Sequence, residues 1–290
     1  MTACLSIDRE TYLSPNYSER RGNVSPTILV LHYTACPMDE ALKRLTSKAQ
    51  AVSAHYLLPT DGNKIYNLVD ETHRAWHAGV SQWRGVNDVN SFSIGIENVN
   101  WGYTYGWLPA EPTNPIVRYF WSSMIHLERR LGEFLEARQL FCFQKQWHYF
   151  PKKQVDTLTI LAKDILSRWQ IDAENVVGHS DISPQRKVDP GPLFPWEALA
   201  EKGVGVWYDP FVDRVHSNKP KGISVSWMQA GLQKWGYSVP QNGKLDPETE
   251  KVMQAFQMHF RPENYGGAID EECANILDRL LCQRDNKKDQ

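Results

Sequence analysis

Three observations predict an α/β fold followed by a small all-helical domain for this 290-residue chain. Short apolar, β-branched runs ("TILVL" from Thr27, "SIGI" from Ser93, "NVV" from Asn175) alternate with stretches whose apolar residues recur at helical spacing. That alternation is the pattern of helices packed on a sheet. Periodicity lapses between about Gly203 and Pro220, and the C-terminal remainder of the chain reads helix, turn, helix. The length also fits one large plus one small domain. The expected division is a first domain over 1–204, a linker over 205–221 and a helical domain over 222–290.

The first strand follows Pro26 and ends at His32. "DEALKRLTSKAQ" from Asp39 then puts Ala41, Leu42, Leu45 and Ala49 on one face of an amphipathic helix. "SAHYLLPTDGNKIYNLV" reads as a hairpin, with strands over 53–58 and 64–69 and a turn at Asp61-Gly62. "SFSIGIENVN" forms the next apolar strand and delivers Glu97 at its end. An aromatic-rich insertion spans about 103–150, and its middle, "RYFWSSMIHLERRLGEFLEA", spaces apolar pairs as a helix whose face serves core or lid packing. Val155, Leu158, Ala162, Ile165 and Trp169 repeat at helical spacing, after which "NVV" leads into His179 as the last strand. In the helical domain Trp227, Leu232 and Trp235 mark one helix and Val252, Phe256 and His259 a second. Asp246-Pro247 gives the second helix its start.

Composition narrows the function classes. Hydrophobic residues at 41% and charged residues at 23% are those of an ordinary globular chain. A net charge of −2 without clustered Lys and Arg argues against a nucleic-acid partner. No window holds the roughly 18 consecutive apolar residues that a membrane span needs. Cys4, Cys36, Cys142, Cys273 and Cys282 form no CxxC pair and no regular spacing, so neither a zinc knuckle nor a disulfide framework is indicated. The opening residues lack a signal peptide. Thr2 and Ala3 before Cys4 look like the end of a bacterial lipoprotein processing site, and they read equally well as an ordinary frayed terminus.

Three predicted strands end in a group that can bind metal or move a proton: His32 after "ILVL", Glu97 after "SIGI" and His179 after "NVVG". Strand ends fix a side chain while the adjoining loop leaves it open. His32, His179 and Asp189 make two imidazoles and a carboxylate, a set that suits zinc and leaves a fourth tetrahedral position for water. Glu97 is the candidate base for that water. Lys187, two residues before Asp189 in the same extended segment, can offer its charge to a developing oxyanion. Singly, each has a plainer reading: a satisfied histidine, a turn aspartate before Pro190, a solvated lysine, a glutamate paired with an arginine such as Arg84. Around the metal, "AWHAGVSQWRG" offers Trp76, His77, Trp83 and Arg84 for substrate, since aromatic faces stack on sugars and an arginine grips a carboxylate. His77 reads alternatively as a support for the site or as a core histidine.

The joint pattern of "ILVLHYTA", "SAHYLL", "AWHAG", "SIGIEN" and "VVGHSDISPQRKVDPGPLFPW" resembles the zinc-dependent N-acetylmuramoyl-L-alanine amidase type 2 family, which includes the peptidoglycan-recognition proteins. The resemblance implies a central mixed β-sheet flanked by helices. It implies one zinc per chain on His32, His179 and Asp189, with Glu97 as general base and Lys187 steadying the tetrahedral intermediate. Some relatives carry a catalytic tyrosine where this chain has Ala54, so Glu97 is left to move the proton alone. "WMQAGLQKWGY", "DPETEKVMQAFQMHF" and "IDEECANIL" resemble the three helices of the peptidoglycan-binding domain type 1, a module expected to be independent of catalysis, with simple packing support for the first domain as the alternative. The implied partner is peptidoglycan or muropeptides. The implied setting is the bacterial periplasm, as a monomer, with outer-membrane anchoring through Cys4. The implied activity is cleavage of the amide between N-acetylmuramic acid and L-alanine; the rivals are a receptor that binds the same polymer without cutting it and a zinc peptidase acting on the stem peptide.

Overall fold

The computed structural model describes residues 5–105, 115–137 and 145–289. The expectations resting on Cys4 and Cys142 lie outside the described residues, as do parts of the insertion. Elements in chain order begin with β1 (Ile7–Asp8), β2 (Tyr17–Ser18), β3 (Ile28–Tyr33), α1 (Met38–Thr46), β4 (Tyr56–Leu58), β5 (Ile65–Asn67) and β6 (Arg74–Ala75). Next come α2 (Val89–Phe92), β7 (Ser93–Asn98), β8 (Tyr103–Thr104), α3 (Pro115–Ala137), β9 (Gln146–Trp147), α4 (Lys152–Trp169) and β10 (Val176–Gly178). They end with α5 (His179–Ile182), α6 (Trp196–Ala200), α7 (Val225–Trp235), α8 (Pro247–Phe260) and α9 (Glu271–Lys288).

Six strands form one mixed sheet in the order β1-β5-β4-β7-β3-β10. The β4–β5 hairpin is antiparallel and every other pair is parallel. Both faces of the sheet are covered, which is why β3 and β7 read as near-continuous apolar runs rather than alternating ones. Leu29, Leu31, Ile94, Ile96, Tyr56 and Leu58 point to one face, where α4 lays Leu158, Leu161, Ala162 and Ile165 over them. Residues one step along, Ile28, Val30 and Val177, point to the other face.

That second face decides how the helical domain is held, in favour of the packing-support reading: Ile28, Val30, Val177, Trp83 and Ile182 share one buried cluster with Met228, Leu232, Trp235, Phe256, Phe260 and Leu277 of α7, α8 and α9. At about 1.5–3 kcal/mol for each large apolar side chain taken from water, such a shared core holds the two parts together strongly. The caps within the helical part follow local rules: Ser224, Asp246 and Asp270 each accept from a backbone N–H in the first turn of α7, α8 and α9. The segment between α6 and α7 lacks regular structure, as expected, yet it is pinned: Arg214 and Ser217 both bond the buried carboxylate of Asp278 in α9.

His55, just before β4, is fully buried. Its Nδ1 accepts from Gly95 N–H at 2.9 Å and its Nε2 donates to the His73 carbonyl at 3.1 Å. A second ring proton would face the Gly95 N–H, beside the Arg20 guanidinium. Burial first, then Arg20, lowers its pKa to about 4. The unfolded chain takes up this proton near the ordinary histidine value of ~6.5, the native chain only near 4, so the neutral ring favours the fold. Stability of the metal-free protein is therefore expected to be full above about pH 6.5 and to fall by roughly 3 kcal/mol on this account as pH drops to about 4. Chemical denaturation across that window measures it, and a flat profile would contradict the assignment.

Candidate metal centre and cleft

Strand order does most of the assembly. β7, β3 and β10 are adjacent and parallel, with His32 paired to Glu97 and Leu31 to Gly178. The C-terminal ends of three neighbouring strands, about 4.8 Å apart, therefore carry Glu97, His32 and His179 in a row. Open α/β sheets place their ligand sites along this edge. Asp189 arrives from a loop that folds back on α5: Ser180 N–H donates to Asp189 O at 2.8 Å, and Lys187 N–H to Ser183 O at 3.0 Å. Gly178 permits the return, because a Cβ there would stand 2.6 Å from Pro190 Cδ.

The three expected ligands converge. His32 Nδ1 and His179 Nδ1 are 3.0 Å apart, and each is 3.1 Å from Asp189 Oδ2. All three residues are buried. The protons can be assigned from the far end of a chain of hydrogen bonds. Ser93 Oγ donates to Val89 O at 2.6 Å, so it must accept from His77 Nε2–H at 3.0 Å. His77 Nδ1 then bears a lone pair and accepts from His32 Nε2–H at 3.0 Å. His32 Nδ1 is left with its lone pair aimed at His179. On the other side His179 Nε2–H donates to Ala78 O at 3.1 Å, which leaves its Nδ1 as an acceptor too.

Two imidazole lone pairs and a carboxylate facing one another repel unless a cation lies among them. Atoms held ~2.0–2.1 Å from one tetrahedral ion stand roughly 3.3 Å apart, so the observed spacings suit a single small metal ion. Metal-binding histidines characteristically donate their other ring proton to a fixed acceptor, as both do here. Burial pushes His32 down to about 4 despite its bond to Asp189. Burial also works to raise Asp189, but the two imidazoles outweigh it and hold the carboxyl well below the usual range. Both groups are thus kept in their metal-binding forms.

Glu97 sits beside the centre without belonging to it. Its Oε2 is buried and has no hydrogen-bond partner among the described residues. Burial and the nearby Asp189 raise its pKa well above the carboxylate norm, and Lys187 partly opposes them. Such an orphaned oxygen, with a strong appetite for a proton, is suited to act as a base. Lys187 is half-buried in the same cleft.

The cleft encloses about 560 Å³, and its walls come from distant parts of the chain. Tyr33, Trp76 and Lys187 line it together with His179 and Asp189. Arg129 and Glu133 of α3 form one wall, where Arg129 donates to the carbonyls of Trp101 and Tyr103 and lies over the Tyr103 ring. Lys251 and Gln254 of α8 form another. Reading the sequence alone missed all four of these residues, as well as Ser93.

The segment expected to contact substrate is divided. Trp76 lines the cleft. His77 reaches it only from behind: both ring nitrogens are taken, by His32 and Ser93, so it supports the centre instead. Its ring packs on Gly95, where a Cβ would come within 2.5 Å of it. Trp83 is 1% exposed, edge-on to Tyr237 between the sheet and the helical domain, and cannot stack on a sugar. Arg84 turns to Glu174 and to the Trp235 carbonyl, lining a separate groove. The expectation of substrate contact is corrected for these two residues.

A family model described as N-acetylmuramoyl-L-alanine amidase matches residues 22–192, and one described as a putative peptidoglycan binding domain matches residues 221–277. The chain is 39% identical to the N-acetylmuramoyl-L-alanine amidase AmiD of Escherichia coli over 266 residues, covering 88% of this chain and 82% of the relative. It is 30% identical to the 1,6-anhydro-N-acetylmuramyl-L-alanine amidase AmpD of the same organism over 201 residues, 63% of this chain and 85% of that one. Among solved structures, the complex of E. coli AmiD with anhydro-N-acetylmuramic acid-L-Ala-D-γ-Glu-L-Lys superposes with a TM-score of 0.70 at 35% identity over 91% of each chain. AmpDh3 of Pseudomonas aeruginosa superposes at 0.68 with 33% identity, over 98% of this chain and 99% of that one.

Replacing His77 with Phe keeps a ring in place but removes both nitrogens that set the His32 tautomer. Zinc affinity, measured by competition with a chromophoric chelator, is expected to fall by roughly 10- to 100-fold. Unchanged affinity would show that the relay does not orient the ligand.

Proposed function

The chain belongs to the N-acetylmuramoyl-L-alanine amidase family, and from that premise we propose that it hydrolyses the amide bond between N-acetylmuramic acid and L-alanine in peptidoglycan fragments, with zinc held by His32, His179 and Asp189. The observation that carries this reading is the convergence of those three donors at 3.0–3.1 Å beside the unpartnered Glu97 oxygen. Two imidazoles and a carboxylate suit zinc among the common divalent ions. Bound there, zinc would supply Lewis acidity towards the scissile carbonyl and bring the pKa of water towards neutrality.

The protein's own groups do the rest. Glu97, unpartnered and hungry for a proton, takes one from the attacking water and returns it to the leaving amine of L-alanine. Lys187 offers its charge to the oxygen that becomes negative as the carbonyl carbon turns tetrahedral. Trp76 and Tyr33 line the cleft and give the muramoyl sugar apolar surface. The γ-linked glutamate in the ligand of the AmiD complex carries a free α-carboxylate. Lys251 and Arg129 give the cleft a positive rim that favours such a peptide.

Chemistry of this kind acts at the cell wall, and we place it in the bacterial periplasm. The Thr2-Ala3-Cys4 triplet supports a lipid anchor through Cys4, and a monomer with one zinc suffices for the reaction. No helix among the described residues is long and apolar enough to cross a membrane.

The direct test is mass spectrometry of a defined muropeptide incubated with zinc-loaded and with chelated protein. Free stem peptide beginning at L-alanine should appear only with metal. Cleavage within the peptide would instead indicate a peptidase, and binding without products a receptor. Glu97→Gln is expected to keep its zinc while losing at least about 100-fold in kcat. Lys187→Ala should cost roughly 10²- to 10³-fold, the size of one oxyanion donor. Retained turnover in either variant would remove that residue from the mechanism.

A further inference from the structure

The helical part, α7 to α9, overlaps the match to a putative peptidoglycan binding domain, yet two of its buried polar side chains, Tyr237 and His259, are turned to Asp181 beside the metal centre. Asp181 lies two residues after His179 and is 1% exposed. Its carboxylate collects three donors. Gly178 N–H reaches Oδ2 at 2.7 Å, the Tyr237 hydroxyl reaches Oδ1 at 2.6 Å, and His259 Nδ1–H reaches Oδ2 at 2.8 Å. The first bond closes the turn that presents His179. The other two come from 56 and 78 residues further along the chain.

The same histidine touches the far end of the ligand loop. Its ring stacks on Trp196 at 3.8 Å between centroids and 14° between planes. Trp196 in turn borders Gly178, the residue over which Pro190 closes. Between these ends, Gln185 donates to the Glu248 carbonyl of α8 at 3.0 Å. Tyr265 accepts from Trp147 at 2.7 Å, and the Trp147 ring covers Gly191. The loop from 179 to 196, which carries two of the three ligands, is therefore gripped at its start, middle and end by the helical domain.

We infer that the helical domain is a positioning element of the metal centre, acting through Tyr237 and His259 on Asp181 to hold His179 and the Asp189 loop in ligating geometry. The inference rests on the metal site proposed above. A buried carboxylate deprived of one of its donors retains its desolvation cost and shifts to recover a partner. Asp181 has little room to do so without turning His179. Groups that orient metal ligands set metal affinity even when they never touch the ion.

The test uses the full chain, with Tyr237→Phe, which removes one hydroxyl and leaves the ring, set against Leu277→Ala. The latter opens the same hydrophobic cluster and touches none of the Asp181 bonds. For each protein, zinc affinity is measured by chelator competition and the Tm is taken with chelator present. Tyr237→Phe should weaken zinc binding roughly tenfold, and Leu277→Ala should lower the Tm as much or more with affinity within twofold of the parent. Tyr237→Phe and Asp181→Ala should also be non-additive, since each removes the Tyr237–Asp181 bond. Zinc affinity unchanged in Tyr237→Phe, or lost in proportion to Tm in both variants, would overturn the inference and leave the domain a simple packing partner. Failure of the parent to bind zinc would instead defeat the metal site itself.

Discussion

The parallel register of β7, β3 and β10 is the constraint from which the centre follows. A one-residue slip would turn His32 or Glu97 to the opposite face of the sheet, under α4, where neither could be tolerated. Burial of both faces prevents that slip: the apolar residues before each strand end fit only one way against α4 on one side and the helical domain on the other. The hydrophobic core thus does more than stabilise. It fixes the positions of three polar groups that would not assemble by their own attractions.

Two of those groups, His32 and His179, keep costly company with Asp189. Two lone pairs and a carboxylate, all buried within about 3 Å, form a preorganised set whose repulsion the surrounding structure must withstand. The price is visible in the number of contacts that serve no other end. Ser93 and His77 hold one imidazole, the Ala78 carbonyl holds the other, and Asp181 with its three donors holds the turn between the strand and the loop. Gly95 and Gly178 contribute by lacking a side chain, since each lies against a ring that has to be close. A centre of this kind is supported in depth, and the support extends into the helical domain.

Much of this was legible in the sequence for a simple reason. The apolar runs before His32, Glu97 and His179 end abruptly in polar side chains, and a strand end is where such a residue gains both rigidity and access. The segment after Ala75 was less legible. Trp76, His77, Trp83 and Arg84 lie within nine residues, and nothing local says that the first ring faces the cleft while the third turns inward against Tyr237. His77 reads as a ligand, a support or a core residue until its two partners are known, and both lie far away in sequence. The docking of the helical domain did leave a trace. In "VMQAFQMHF" every residue of α8 but Gln254 is buried, Gln257 and His259 included, which is the mark of a helix largely inside a structure. The cleft wall formed by α3 and α8 had no such trace, because it exists only once separate segments have come together.

The hydrogen-bond chain behind His32 ends on the Val89 carbonyl, which can take no proton and pass none on. The rear nitrogen of His32 consequently has no proton relay leading out through this chain. Proton exchange at the centre would then run through the cleft, the side on which the proposed substrate enters. Under the proposed reaction a bound substrate would then also be a stopper: while it filled the opening, Glu97 would have no outlet for its proton except the departing amine, and futile exchange with solvent would be suppressed for as long as the bond remained uncut.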